Sequence, residues 1–236
     1  MISAKRAREI FGRKLKPEMK VSTPSFSKKM VFLPNHPEVF PYLNYDHCYV
    51  VVHPGFSSSW VDEEFRFAIS QDGKDYPEYS SEIKKLIKYL GNSNELSIFF
   101  IEYERKYSDD FLPPENSLIL FTENGTHRPL KTIKIGGISK KEVEIEWDEI
   151  YSFLKNVGVK EVRMAGEWVW WDAGMGCVGC AAEKFEKSGF EVKGVENCLY
   201  PTFPPSEIPK LSKRMIGRGI GKIVWKLYEN QVKPKI

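Results

Sequence analysis

The sequence predicts an α/β protein: a three-layer, doubly wound, mostly parallel sheet with helices on both faces. Continuous apolar runs, typical of strands buried on both faces, alternate with stretches whose apolar residues recur at helical spacing. One unit, residues 160–201, reads as strand, glycine-rich turn, helix and strand in succession. Strands that alternate with helices in this way pack as a parallel sheet between two helical layers.

The first half of the chain supplies three predicted strands and one helix. Each strand is a run of β-branched, aromatic or other apolar residues, and the runs are 48–52, 96–101 and 117–121. Apolar residues at helical spacing predict a helix over 80–90, with Ser80 or Ser81 as its N-cap and Gly91 as its end.

The second half continues the alternation of strands and helices. The predicted elements are an edge strand at 131–135, a helix at 146–156, a strand ending at Gly166, a helix at 177–187, a strand at 190–195 and a closing helix at 216–228. Three glycines within the last of these weaken its helical pattern.

Basic ends flank an acidic body. Residues 1–30 hold nine Lys/Arg and two Glu, and residues 201–236 hold eight Lys/Arg and two Glu, so the middle carries about ten excess negative charges. We therefore divide the chain into a basic, proline-rich N-terminal arm (1–40), an α/β domain (41–200) and a basic C-terminal arm (201–236) that packs on the domain. Binding of nucleic acid through the arms is the alternative interpretation.

Composition excludes several classes of protein. The sequence has no apolar run long enough to span a membrane and no signal-peptide pattern, so a cytoplasmic location and no membrane partner are expected. Four cysteines are too few for a disulfide scaffold. The chain has neither a P-loop nor a complete G-x-G-x-x-G motif, so a nucleotide cofactor is not supported. The Lys-, Glu- and Ile-rich composition favours a thermophilic source.

The run Cys177-Val-Gly-Cys-Ala-Ala, followed by Lys187-Ser-Gly-Phe-Glu-Val and Glu196-Asn-Cys198, resembles the isochorismatase-like cysteine hydrolases. In that family a similar helix opens with Cys-Val and leads through a glycine-aromatic turn into a strand. The run Tyr49-Val-Val-Val-His53-Pro-Gly-Phe56 resembles the first strand of the family, and Gly166 matches its glycine before the cysteine. The resemblance covers about residues 48–200 and implies the family's α/β fold and hydrolase chemistry.

The sequence departs from the family at three places. The family has a catalytic aspartate at the end of the first strand, where this chain has His53. The family's catalytic lysine has no clear counterpart after Leu118-Ile-Leu120. The turn between Gly166 and Cys177 is lengthened by the insert Trp168-Val-Trp170-Trp171-Asp172.

Cys177 and Cys180 form a C-x-x-C pair at the predicted start of a helix. A thiol there lies at the positive end of the helix dipole, which favours the thiolate. We predict Cys177 as a nucleophile, His53 as its base, and Glu167 or Asp172 as an acid that orients the histidine. Backbone N–H groups over 177–180 would stabilise an oxyanion.

Other roles for the two cysteines stay open. Both could be small core residues, or a redox pair, or part of a metal site. A structural zinc site needs four ligands, and Cys48 with His47 or His53 could complete one.

Trp168, Trp170 and Trp171 are unusually close together. In a loop above the strand end they would line, with Cys180, a pocket for a planar or apolar ligand. The alternative is packing, with Trp168 and Trp170 on one face of a strand extension and Trp171 on the other.

The function expected from the sequence is that of a divergent cysteine-dependent hydrolase acting on a small molecule. The alternative is a non-catalytic α/β scaffold that binds a ligand or nucleic acid through its basic arms.

Overall fold

The computed structural model describes most of the α/β domain and the C-terminal segment. The described residues are 45–55, 76–93, 95–102, 109–114, 117–122, 132–135, 143–171, 174–203, 206–216 and 221–234. The predicted arm 1–40 and the candidate residue Asp172 lie outside these ranges.

Six parallel strands form the central sheet, in the spatial order β10-β9-β6-β1-β2-β3. The strands are β1 (His47–Val52), β2 (Ser97–Glu102), β3 (Leu118–Thr122), β6 (Glu161–Glu167), β9 (Glu191–Tyr200) and β10 (Gln231–Val232). Strand β1 is buried from Cys48 onward, as its continuous apolar sequence predicts.

Two short antiparallel pairs stand outside the central sheet. One joins β4 (Thr132–Ile135) to β5 (Val143–Glu146), and the other joins β7 (Trp170–Trp171) to β8 (Gly174–Met175). The predicted edge strand at 131–135 is therefore a strand, but it pairs with β5 and not with the central sheet.

Within the described residues, five α-helices accompany the sheet: α1 (Tyr76–Asn92), α2 (Trp147–Asn156), α3 (Cys177–Lys187), α4 (Ile208–Ile216) and α5 (Lys222–Glu229). The prediction for α3 is confirmed at both ends. Helix α1 begins at Tyr76, before the predicted N-cap at Ser80 or Ser81, because Pro77 is tolerated within a first helical turn. The closing helix predicted over 216–228 is wrong at its start, since α5 begins at Lys222.

Helices cover both faces of the sheet. Tyr89 of α1 contacts the ring of Tyr49, whose side chain lies on one face of β1. On the other face Trp147 of α2 stacks on Phe100, and Phe185 of α3 contacts Trp147. The backbone of α5 lies against Gly194 of β9 on this second face, because a Cβ at Gly194 would meet the Leu227 carbonyl oxygen at 2.2 Å. The predicted three-layer, doubly wound fold is confirmed.

The C-terminal segment continues the fold. Strand β10 pairs with β9, and α5 buries Val224, Trp225 and Leu227. The Tyr228 hydroxyl donates a hydrogen bond to the Pro201 carbonyl oxygen. No described helix is long and apolar enough to cross a membrane.

Candidate functional site

The carboxyl ends of β1 and β6 lie side by side at the point where the strand order reverses. From β1 the chain continues to β2 and β3 on one side, whereas from β6 it continues to β9 and β10 on the other. In open α/β sheets ligands bind in the crevice at this point, because the connections leave in opposite directions. The residues that follow the two strands are therefore the first candidates for a site.

Gly166 allows the ends of these two strands to come close together. It pairs with Val52 in the register of β1 and β6. Its φ is +115°, and a Cβ at this position would lie 1.9 Å from the Val52 carbonyl oxygen. Only glycine fits this backbone conformation and this distance.

Glu167, the last residue of β6, is fully buried. Its Oε1 accepts a hydrogen bond of 2.8 Å from the backbone N–H of Gly55. Gly55 belongs to the turn that follows β1, so a carboxyl group supplied by β6 lies over the end of β1. A buried carboxyl group needs such partners, since its desolvation costs several kcal/mol (roughly 2–7 for a polar group left without a hydrogen bond).

His53 begins this turn and is 2% exposed. Its φ is +47°, in the left-handed region, and its backbone N–H donates a 2.8 Å hydrogen bond to the Phe100 carbonyl oxygen of β2. The carboxyl group of Glu167 thus holds the same turn that carries His53. The two predicted site residues lie at the same edge of the sheet.

Cys177 is the first residue of α3 and is 6% exposed. The helix is joined to the strand end by short backbone contacts: the Val178 N–H donates to the Trp168 carbonyl oxygen at 2.9 Å. A Cβ on Gly176 would lie 2.1 Å from that same oxygen, so glycine is required just before the cysteine. The thiol therefore lies at a helix N-terminus, and Trp168, whose carbonyl oxygen is bonded to this helix, directly follows Glu167.

The hydrogen bonds in the first turn of α3 limit which N–H groups could stabilise the predicted oxyanion. The N–H of Val178 donates to Trp168, and the N–H of Cys180 donates to the Gly176 carbonyl oxygen at 2.9 Å. Two of the four N–H groups over 177–180 are thus engaged within the protein. The N–H groups of Val178 and Cys180 are therefore not available to stabilise an oxyanion.

The other three cysteines carry thiols whose charged form is disfavoured. Burial raises the pKa of Cys48 and Cys198 well above the ordinary value. Burial also raises the pKa of Cys180, and the charge of Glu183 adds to this effect. All four cysteines are free thiols.

Solved structures with a similar fold include several hydrolases. An isochorismatase-like hydrolase from Alkaliphilus metalliredigens is 12% identical with a TM-score of 0.44, and the alignment covers 72% of this chain and 88% of that one. An N-carbamoylsarcosine amidase from Thermoplasma acidophilum is 14% identical with a TM-score of 0.42, over 73% and 94% of the two chains. A pyrazinamidase of Pyrococcus horikoshii, solved with zinc, is 17% identical with a TM-score of 0.40, over 75% and 97%.

One of these structures is an isochorismatase-like hydrolase, the family that the sequence resembles. No family model matches the chain, and no curated protein matches it significantly. At these identities and TM-scores the likeness carries no conclusion about a reaction or a substrate.

The tryptophans of the insert lie in different surroundings. Trp168 is 7% exposed, and its ring contacts Tyr200 edge-on with centroids 4.6 Å apart. Trp170 is 2% exposed and stacks on Phe203 at 5.9 Å, next to Trp225 of α5. Trp168 therefore adjoins the strand ends, whereas Trp170 contacts the C-terminal segment. Trp171 is part of β7, and its side chain lies outside the described part of the structure.

No group of three or more His, Cys, Asp or Glu side chains among the described residues could hold a metal ion. Cys48 pairs with Val162 near the amino end of the sheet. Five residues of β6, or roughly 16 Å at about 3.3 Å per residue, separate that position from Glu167. Cys48 cannot join Cys177 and Cys180 around one ion, so the zinc site considered from the sequence does not form.

Sequence reasoning missed two members of the site. Gly55 follows the first predicted strand, but its hydrogen bond to a residue 112 positions away has no local signal. Tyr200 pairs with Glu167 in the register of β6 and β9, beyond the predicted end of that strand at Val195. The apolar run Cys198, Leu199 and Tyr200 could have suggested a longer strand, although a register shift interrupts the pairing before it.

Proposed function

We propose that the chain is a cysteine-dependent hydrolase, a divergent relative of the isochorismatase-like hydrolases that its sequence resembles. The observation that carries this proposal is the hydrogen bond between Glu167 and Gly55. It joins a buried carboxyl group to the turn bearing His53 at the point where the strand order reverses, next to the helix that begins with Cys177.

Cys177 is the nucleophile. Its position at the N-terminus of α3 favours the thiolate. The thiolate attacks a substrate carbonyl carbon and forms a thioester as the leaving group departs with a proton. Water then hydrolyses the thioester and regenerates the thiol.

His53 accepts the thiol proton and returns it to the leaving group. Glu167 orients the histidine by holding the backbone of its turn, and Asp172 remains a second candidate for that role. The carboxyl group lies at the end of β1, where the resembled family has an aspartate on the strand itself. Trp168 borders the crevice and would contact a planar substrate. The other proposed parts of this pocket are Trp170, Trp171 and Cys180.

Peptide-resolved alkylation of the native protein with iodoacetamide, from pH 6 to pH 9, tests the nucleophile. In a Cys180→Ala background we expect rapid labelling of Cys177 already near pH 6, and slower labelling when His53→Gln is added. The matched control is Cys177→Ala, in which Cys180 should label slowly because its pKa is raised. Labelling of Cys177 only on unfolding would refute the nucleophile.

A non-catalytic scaffold is the alternative, and the charge of the two chain ends favours it. It predicts that Cys177→Ala leaves binding of a short RNA or DNA unchanged, and that binding weakens steeply with added salt. A thiol that is inert in the native state together with such binding would establish the scaffold instead of the enzyme.

A further inference from the structure

Tyr200 lies beside both Glu167 and Trp168, although it is more than 30 residues away from them in the sequence. It is the last residue of β9, and the pairing of β6 with β9 places it directly beside Glu167. Side chains paired across adjacent strands lie on the same face of a sheet, at about 5 Å between Cβ atoms. The ring of Tyr200 and the carboxyl group of Glu167 are therefore neighbours.

The ring of Tyr200 is enclosed by two other aromatic rings. Trp168 contacts it edge-on at 4.6 Å, and Tyr79 of α1 packs against it at 5.2 Å. Tyr79 is fully buried, and Tyr200 is 4% exposed. Aromatic contacts of this kind have a defined geometry and stabilise the rings beyond the area that they bury. The enclosed ring thus has little freedom to move.

The main chain of Tyr200 also supports the segment between Glu167 and α3. Its carbonyl oxygen accepts a 2.9 Å hydrogen bond from the N–H of Val169. Trp168, directly before Val169, accepts the hydrogen bond from Val178 in the first turn of α3. Tyr200 is consequently connected to the residues on both sides of Trp168.

We propose that Tyr200 is a positioning residue: its ring, enclosed by Trp168 and Tyr79, holds the Glu167 carboxyl group on the Gly55 N–H. This inference rests on the proposed function for its catalytic meaning, but the positioning itself is independent of any reaction. Burial and the charge of Glu167 both raise the pKa of Tyr200, which is consistent with a neutral phenol beside the carboxyl group.

The Gly55 amide is a direct probe of this arrangement. The chain contains a single Pro-Gly dipeptide, Pro54-Gly55, so labelling with [13C]carbonyl proline and [15N]glycine yields one amide signal in a carbonyl-correlated NMR spectrum. That signal reports the hydrogen bond to Glu167 Oε1. Glu167→Gln, which replaces the carboxyl acceptor with an amide, is the reference variant and should shift the amide proton upfield.

Tyr200→Leu should shift the Gly55 amide proton in the same direction as Glu167→Gln, because the ring that confines the carboxyl group is lost. Tyr200→Phe keeps the ring and should leave the signal where the wild type has it. The matched control is Tyr151→Leu, which removes a partly buried ring on the opposite face of the sheet, beside Phe185 and Phe190. It should leave the Gly55 signal unchanged.

Two results would overturn the proposal: an unshifted Gly55 signal in Tyr200→Leu, or a Tyr200→Phe shift as large as that of Tyr200→Leu. If Tyr200→Leu does not fold, Tyr79→Leu replaces it, since this variant releases the ring from the α1 side. An unshifted signal in Tyr79→Leu then overturns the proposal.

Alkylation of the same variants separates this inference from the proposed function. If wild-type Cys177 labels rapidly, Tyr200→Leu should slow it several-fold, and Tyr200→Phe should restore the rate. If wild-type Cys177 is inert while the Gly55 shifts follow the expected pattern, the hydrolase proposal fails and the positioning role of Tyr200 stands.

Discussion

At the scale of single residues, the candidate site depends on one buried carboxyl group and the amide that it accepts from. Glu167 is the last residue of β6, Gly55 lies in the turn after β1, and both are buried. Forming such a hydrogen bond stabilises the fold only modestly, whereas removing one partner costs more free energy. The partner left behind stays buried without a hydrogen bond.

Glu167→Ala should therefore lower the free energy of unfolding by about 1–3 kcal/mol, since the Gly55 N–H loses its acceptor. Glu167→Gln keeps an oxygen of the same reach and should cost less. Urea denaturation measures both variants. Equal stability of Glu167→Ala and the wild type would show that the hydrogen bond contributes nothing to the fold.

Gly166 and Gly189 provide a matched pair for backbone strain. Gly166→Ala should cost about 3 kcal/mol or more, because the new Cβ meets the Val52 carbonyl oxygen at 1.9 Å in addition to the positive φ.

Gly189→Ala is the control, because its φ is +90° but nothing lies within 4 Å of a new Cβ. It should cost only about 1–2 kcal/mol, the penalty for a left-handed alanine. Urea denaturation compares the two variants, and similar losses of stability would contradict a steric role for the Val52 oxygen.

The sequence alone predicts which residues stand at the ends of the main strands and helices. Cys177 at the start of α3 and His53 after β1 follow from local patterns, because apolar runs and helical spacing show where an element ends. The bond from Glu167 to Gly55 and the contact of Tyr200 with Trp168 join distant parts of the chain. No local pattern in the sequence shows that the register of β6 and β9 shifts, or that Glu167 pairs with Tyr200 after the shift.

At the scale of elements, charged residues join the amino ends of β6 and β9 on the α1 face. Glu161 of β6 accepts hydrogen bonds of 2.5 Å from Arg163 and from Lys193 of β9. Burial raises the pKa of Glu161, but these two hydrogen bonds and the positive charges of Arg163 and Lys193 together lower it by more, so the net pKa lies below the ordinary value of 4.5. The folded state thus binds this proton less tightly than the unfolded state does.

A carboxyl group with a lowered pKa stabilises the fold above its unfolded pKa and loses this contribution as the pH falls through its folded pKa. The free energy of unfolding should therefore decrease as the pH is lowered below about 4.5. Glu161→Gln should show a smaller decrease, and the exposed Glu229→Gln should behave as the wild type. Urea denaturation at a series of pH values checks this, and identical slopes for all three proteins would refute it.

The strength of the local signal explains which elements were predicted. The buried strands β1, β2 and β3 and helices α2 and α3 have long apolar runs or clear helical spacing, and their predictions are confirmed. Strand β5 has only four residues directly before a helix, and β7 and β8 have two each. Helix α4 (Ile208–Ile216) was missed because the preceding prolines indicated an irregular segment.

At the scale of the whole molecule, the C-terminal segment buries some of the largest side chains of the protein. Trp225 is 1% exposed and contacts both Trp170 and Tyr228. The segment thus packs against Trp170 of the insert that follows Glu167, and β10 extends the sheet. The stability of the whole protein should depend on these contacts as much as on the contacts within the predicted α/β domain.

Trp225→Ala should lower the free energy of unfolding by about 3–5 kcal/mol, the usual cost of deleting a buried aromatic side chain. Lys222→Ala, at an exposed position on the same helix, should change it by no more than about 0.5 kcal/mol. Urea transitions followed by circular dichroism and by tryptophan fluorescence should coincide in both variants. A Trp225→Ala protein as stable as the wild type would mean that α5 contributes little to the fold.

Because β1 pairs with β6, the two strands can meet only after a long part of the chain has been synthesised. Gly55 leaves the ribosome 112 residues before Glu167, the group that holds its turn. A nascent chain that has just completed β3 contains His53 but neither the carboxyl group nor the thiol. Contacts between such distant residues form slowly, because a long loop must close first. The candidate site can therefore be assembled only after β6 has been synthesised.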